Sequence, residues 1–258
     1  MESTSVPSLP RRDRIAILSA LCGVTVLAWA YILYLWAKMP AMNMSTSDSM
    51  MQIHPWMPAD FVFMFFMWAI MMVGMMLPSA APMILLYAGM MRKAERQGAP
   101  MASTAAFVCG YLVMWCLFSV GATLLQWGLH RAALLSLMMV TKSQLLGGGL
   151  LIIAGLYQLT PWKNVCLDHC RSPAHFFFHH WRPGVSGAFR LGLEHGAFCL
   201  GCCWALMGLL FFGGVMNLLW IAGITIFVFL EKVLPFGVWG GRLAGGGLIV
   251  LGLVVVSS

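Results

Sequence analysis

Three groups of residues have the types and spacing to do chemistry. The first is the run Glu194-His195-Gly196-Ala197-Phe198-Cys199-Leu200-Gly201-Cys202-Cys203. On a helix turning about 100° per residue, His195, Cys199 and Cys202 fall within an arc of roughly 60°. Cys203 lies at its margin, and Glu194 points about a quarter-turn away. An imidazole beside two or three soft thiols suits Cu(I) or Zn²⁺, and the weight of sulfur favours the softer ion. Membrane cysteines also serve as small apolar fillers. A carboxylate beside a histidine in an apolar run is harder to dismiss, because ionisable groups there are expensive and usually functional.

The second group is Cys166, His169 and Cys170, in Thr160-Pro161-Trp162-Lys163-Asn164-Val165-Cys166-Leu167-Asp168-His169-Cys170. If this stretch is helical, the three share one face and could complete a four-ligand site with the cysteines at 199–203. A lone C-x3-C is a weaker signal than paired CxxC knuckles. His175, His179 and His180 follow among Phe176, Phe177, Phe178 and Trp181. His175 and His179 have metal-binding spacing, but the aromatics favour an amphipathic segment lying in a membrane interface.

The third group is methionine. Of 22 methionines, 15 lie between residues 39 and 91. Met39, Met42, Met44, Met50 and Met51 fall in a polar segment where thioethers could capture Cu(I), and they resist the oxidation that destroys thiols. Met64, Met67, Met71 and Met75 form a helical stripe, which reads first as core packing.

These groups must be positioned by membrane helices. Of 258 residues, 61% are apolar and only 9% are charged. A soluble domain carries roughly 25% charged residues, so a soluble enzyme, a disordered regulator and a nucleic-acid-binding domain are excluded. The net charge of +7 is dispersed between apolar runs. The expected architecture is all-α: one polytopic transmembrane domain, 1–258, with the lipid bilayer as its main partner. A span takes roughly 20 residues, and about seven are read, at 15–36, 61–91, 104–129, 144–160, 190–212, 216–231 and 242–256. The first resembles a signal peptide, but its apolar run continues past Ala28-Trp29-Ala30, which favours a retained anchor. Of the 15 lysines and arginines, 12 fall before span one or in alternate connections. The amino terminus is therefore expected in the cytoplasm and the carboxyl terminus outside. Cys166 and Cys170 would then lie on the reducing side, where a structural disulfide is not expected.

Pro78 and Pro82 should kink span two and free backbone carbonyls. Gly192/Gly196 and Gly241/Gly245 have the spacing of close helix packing. Glu231-Lys232, near the end of span six, reads as an interfacial anchor, with Glu231 a further candidate ligand or proton carrier.

Several of these motifs together resemble the DUF2182 family. They are Met67-Trp68-Ala69-Ile70-Met71-Met72 with Pro78 and Pro82; Thr160-Pro161-Trp162-Lys163 with Cys166 and Cys170; His195-Gly196 with Cys199, Cys202, Cys203 and Trp204; and Glu231-Lys232. The resemblance covers roughly residues 60–256. It implies a metal-binding integral membrane protein of the bacterial inner membrane, of a kind sometimes labelled a copper chaperone.

The expected function is copper handling, with the external methionines accepting the ion. His195, Cys199, Cys202, Cys203, Cys166, Cys170, His169 and Glu194 would form the metal site. Copper is favoured over zinc, and a copper donor or redox partner protein is expected, with oligomerisation possible. The alternative is a metal-dependent membrane oxidoreductase or its accessory subunit, with Glu194 or Glu231 moving protons; a third reading is a scaffold with inert cysteines. No P-loop or dinucleotide fingerprint is present to drive pumping by this chain alone.

Overall fold

The computed structural model describes residues 9–45, 56–96, 104–132, 134, 143–180, 182–234 and 237–257. Among the described residues, every regular element is a helix, as the composition required. In chain order they are α1 (Arg11–Ser45), α2 (Pro58–Arg96), α3 (Thr104–Arg131), α4 (Gln144–Leu159) and α5 (Pro161–Arg171). They continue with α6 (Pro173–His180), α7 (Gly184–Gly208), α8 (Leu210–Gly213), α9 (Leu218–Val233) and α10 (Gly237–Ser257).

Five stretches are long and apolar enough to cross a membrane: Arg11–Lys38, Pro58–Glu95, Thr104–Arg131, Gly184–Gly213 and Val238–Ser257. The pair α4 and α5, bent by 65°, makes a sixth if it is one broken span. The difference from seven lies in α4 and α9. Each has 16 residues, about 24 Å at 1.5 Å per residue, against roughly 30 Å of hydrocarbon.

The methionine segment also differs from expectation. Helix α1 continues to Ser45, so Met39, Met42 and Met44 stand on a helix rather than in a loop. Their side chains, and Met50 and Met51 entirely, lie outside the described residues. The stripe on α2 is core: Met67, Met71, Met72, Met75, Met76 and Met83 are all buried.

The local devices follow from the residues. Helix α2 runs on through Pro78 and Pro82. Pro78 has no N–H for the carbonyl of Gly74, four residues back, and the Trp29 indole N–H from α1 takes that acceptor at 3.2 Å. Pro161 opens α5 at a position where no donor is needed, and the Thr160 hydroxyl caps it by accepting from the Lys163 amide. This cap and proline turn the chain sharply after α4. They convert the expected connection into a helix with Cys166 and Cys170 one turn apart. Helices α4 and α10 meet at Gly155 and Gly245, each with the other's carbonyl near the space a Cβ would fill.

Candidate metal centre

Helix α7 can present its cysteines only because it lies backbone to backbone against α3. A Cβ on Gly110 would strike the Phe189 carbonyl, and one on Gly192 would strike the Phe107 carbonyl. Such close approach needs small residues. It brings Tyr111, one residue past Gly110, against α7, where its hydroxyl lies 3.2 Å from the Cys199 sulfur. The same hydroxyl donates to the Met76 carbonyl at 3.1 Å, tying α2 to the site.

Helix α5 approaches the opposite side through a third glycine. A Cβ on Gly201 would come to 2.8 Å from the Cys166 sulfur, and the Tyr157 hydroxyl donates to the Gly201 carbonyl. With α5 seated there, Cys170 stands beside Cys199 and Cys202 of α7. The Cys202 and Cys203 thiols each donate to the Cys199 carbonyl at 3.0 Å, and Cys166 lies near Cys202. Cys199, Cys202 and Cys203 are buried, whereas Cys166 and Cys170 are half-buried.

The fourth wall is α9. Its Lys232 side chain is buried and reaches the Cys199 sulfur at 2.9 Å and the Ser79 hydroxyl at 3.2 Å. Its neighbour Glu231 is buried as well, but pairs with Lys163 of α5, itself only 1% exposed. Gly241 of α10 leaves the space in which this pair sits, since a Cβ there would meet both side chains.

His195 is buried one helical turn before Cys199, between the rings of Phe107, Tyr111 and Phe176. Its Nδ1 has no hydrogen-bond partner. A buried polar atom left without a partner calls for an explanation, and a ligand supplies one.

Two expected site residues go elsewhere. Glu194 pairs with Arg182 at 3.2 Å through Oε1, while its buried Oε2 has no hydrogen-bond partner. His169 lies flat on Phe198, with ring centroids 4.2 Å apart, beside His175 and His180. A single turn of α5 cannot aim His169 and Cys170 the same way, because consecutive helical side chains diverge by about 100°.

Glu231-Lys232 is likewise corrected from an interfacial anchor to two buried charges with different partners. Tyr111 and Ser79 carried no signal in the sequence, since a tyrosine and a serine in apolar helices are common. Lys163 read as one of several loop bases, and only burial distinguishes it.

Among the described residues, no group of three or more His, Cys, Asp or Glu side chains is already arranged to hold a metal ion. The donors that do converge are sulfur, and a soft ion can be held by two thiolates alone. This set therefore fits Cu(I) as cargo better than an ion needing four preformed ligands.

No curated protein and no solved structure matches the chain. A family model described as "PpoB2: Copper chaperone" matches residues 65–255, from the buried stripe of α2 to the end of α10. That stretch contains every residue of the sulfur cluster and its lysine, and on this match the chain belongs to the PpoB2 copper chaperone family.

Proposed function

We propose that this protein holds and passes Cu(I) inside the membrane on the thiols of Cys199, Cys202 and Cys170. Cys203 and Cys166 stand at the edge of the set, and His195 is an additional donor. The observation that carries the reading is the buried Lys232 nitrogen 2.9 Å from the Cys199 sulfur of α7, with Cys170 of α5 alongside. Two helices bring sulfur to neighbouring positions and a buried ammonium faces it, which chance packing of isolated fillers does not require. Membership of the copper chaperone family supports copper as the cargo.

Two or three of these sulfurs would hold the ion, each thiol giving up its proton to solvent as it binds. Lys232 is its counter-charge. One Cu(I) on two thiolates carries a net negative charge, and the adjacent ammonium neutralises it in an environment with little water. Tyr111 and Ser79 hold Cys199 and Lys232 in register. His169 and Glu194 belong to the surroundings of the site in this reading.

The chain would lie in a bacterial inner membrane as one domain, its amino terminus cytoplasmic. Counting the short α4 and α9 as crossings brings the number to seven, in line with the distribution of basic residues. The methionines at 39–51 would then face outside and deliver copper from that side. The DUF2182 resemblance over roughly 60–256 covers nearly the same stretch as the matched family and supports the same assignment.

Metal analysis of the full chain, purified in mild detergent after growth with copper, tests the proposal. One copper per chain, with sulfur neighbours by X-ray absorption, is the expected result. Zinc in its place, or no metal under copper-replete growth, would overturn it.

A further inference from the structure

We infer that the basic end of the α1–α2 pair is a binding site for an anionic phospholipid, whose phosphodiester is held by Arg12. The two helices meet there through an ion pair. Arg92, near the end of α2, donates to Asp13 of α1 from Nε at 2.8 Å and from a terminal nitrogen at 2.7 Å. Arg92 also reaches Glu95, one turn on, at 3.1 Å. Beside this pair opens a cavity of about 470 Å³, lined by Pro10, Arg12, Asp13, Arg92 and Glu95. Its volume falls in the range of sites that take small ligands.

The charge around this cavity is positive and largely unpaired. Arg92 alone answers both carboxylates, Asp13 and Glu95, through one oxygen of each. Arg12, in the cavity wall, is exposed and has no acidic partner among the described residues. The same is true of Arg11 and Arg14 on α1 and of Lys93 on α2. A guanidinium presents parallel N–H donors that match two phosphate oxygens. Bases clustered at the ends of membrane helices attract anionic headgroups, and a pocket between the helices holds one in place.

The surface that continues from the cavity selects a lipid over a free anion. Ile15 and Leu18, one and two turns beyond Arg11, are 56% and 38% exposed, and the apolar stretch of α1 is only 11% buried. Acyl chains cover such a face, and the arginines begin where it ends. The contact also has a task. Among the described residues, Asp13–Arg92 is the only ion pair between α1 and the rest of the chain, and the Trp29–Gly74 hydrogen bond lies more than four turns further along α1. A phosphodiester on Arg12, in a cavity whose other wall belongs to α2, fastens the two helices at this end. The inference rests on the chain lying in a membrane and not on copper at the thiols.

The test uses the full chain in detergent, stripped of lipid, with phosphatidylglycerol, phosphatidylcholine and inorganic phosphate as probes and native mass spectrometry as the readout. One phosphatidylglycerol per chain is expected, bound at least about tenfold more tightly than phosphatidylcholine, as a cluster of bases dictates. Arg12→Gln, at an exposed position, should weaken it about fivefold, the effect of one base at an anionic headgroup. Arg12→Lys should keep most of the affinity. Arg242→Gln removes another exposed base, on α10, and should change nothing. The inference is overturned if the two lipids bind equally, if Arg12→Gln binds like the wild type, or if Arg242→Gln weakens binding as much as Arg12→Gln. Displacement of the lipid by inorganic phosphate would overturn it too, by making the site one for a free anion. Cu(I) stoichiometry of the same chain, measured separately, reports on the sulfur cluster whichever way this result falls.

Discussion

The side-chain nitrogen of Lys232 lies 2.9 Å from the sulfur of Cys199, in a residue only 7% exposed. A buried ammonium is costly unless something negative or strongly polar answers it. Glu231 cannot, because it is committed to Lys163. Sulfur and the Ser79 hydroxyl are what remain, so the positive charge of α9 is directed at the point where the thiols of α5 and α7 meet.

That direction gives the first prediction. If Lys232 balances the charge of a copper–dithiolate, Lys232→Met should lower Cu(I) affinity at least about tenfold, equivalent to about 1.4 kcal/mol. Lys232→Arg, which keeps the charge, should retain most of it. Competition against a Cu(I) chelator of known affinity measures both. Equal affinities for wild type and Lys232→Met would remove the lysine from the copper site.

The Lys163–Glu231 pair supplies the second. Both side chains are buried, so breaking the pair strands a charge, at a cost of about 3–5 kcal/mol. Glu231→Gln should therefore lower thermal stability in detergent markedly, and Lys163→Met/Glu231→Met should recover most of the loss. Thermal unfolding followed by circular dichroism decides it. A double variant as unstable as Glu231→Gln would mean that the pair does more than neutralise itself.

The two buried pairs also mark what the sequence could and could not convey. The stripe of His195, Cys199 and Cys202 was legible because helical periodicity alone places them together, and α7 keeps them buried along one side. The C-x3-C of Cys166 and Cys170 was legible only on the condition that its stretch is helical, which the Thr160 cap and Pro161 fulfil in the structure. Glu231-Lys232 misled because charges near a helix end read as an interfacial anchor, whereas both are buried, point apart and meet Lys163 and Cys199. His169 was drawn to the cysteines by proximity in sequence, yet helix geometry sends it to Phe198. Tyr111 depends on how closely α3 approaches α7, a tertiary fact that its own segment does not encode.

That approach is the third prediction. Gly192 faces the Phe107 carbonyl with no room for a Cβ. Gly192→Val forces the helices apart, with overpacking costs of about 1–3 kcal/mol or more. It should reduce the folded yield and, in whatever folds, weaken Cu(I) binding by moving Tyr111 off Cys199. Gly223→Ala, where a Cβ meets nothing within 4 Å, is the control and should leave both unchanged. Size-exclusion profiles and copper stoichiometry separate the two variants.

The fourth concerns orientation. With the amino terminus cytoplasmic, reporter fusions at Ser47 and Pro173 should report opposite sides of the membrane, Ser47 outside and Pro173 inside. Both on one side would mean that α4 or another short helix turns back without crossing. The thiols of α5 would then face a different compartment.

The fifth separates the sulfur cluster from the other cysteines. Cys199 and Cys202 are buried on α7, whereas Cys22 and Cys109 are exposed on α1 and α3. Cys199→Ser/Cys202→Ser should abolish sulfur-bound copper, and Cys22→Ser and Cys109→Ser should leave it intact. The pH dependence has a definite sign: each sulfur must lose its proton to hold the ion, so protons compete with copper and occupancy falls as the pH is lowered. The fall should be steeper than a single group allows, because at least two sulfurs are reprotonated as one ion leaves. A pH titration of retained copper after desalting, on the wild type and each variant, checks both points. Full copper content in the double variant, or occupancy that is flat with pH, would place the ion elsewhere in the molecule.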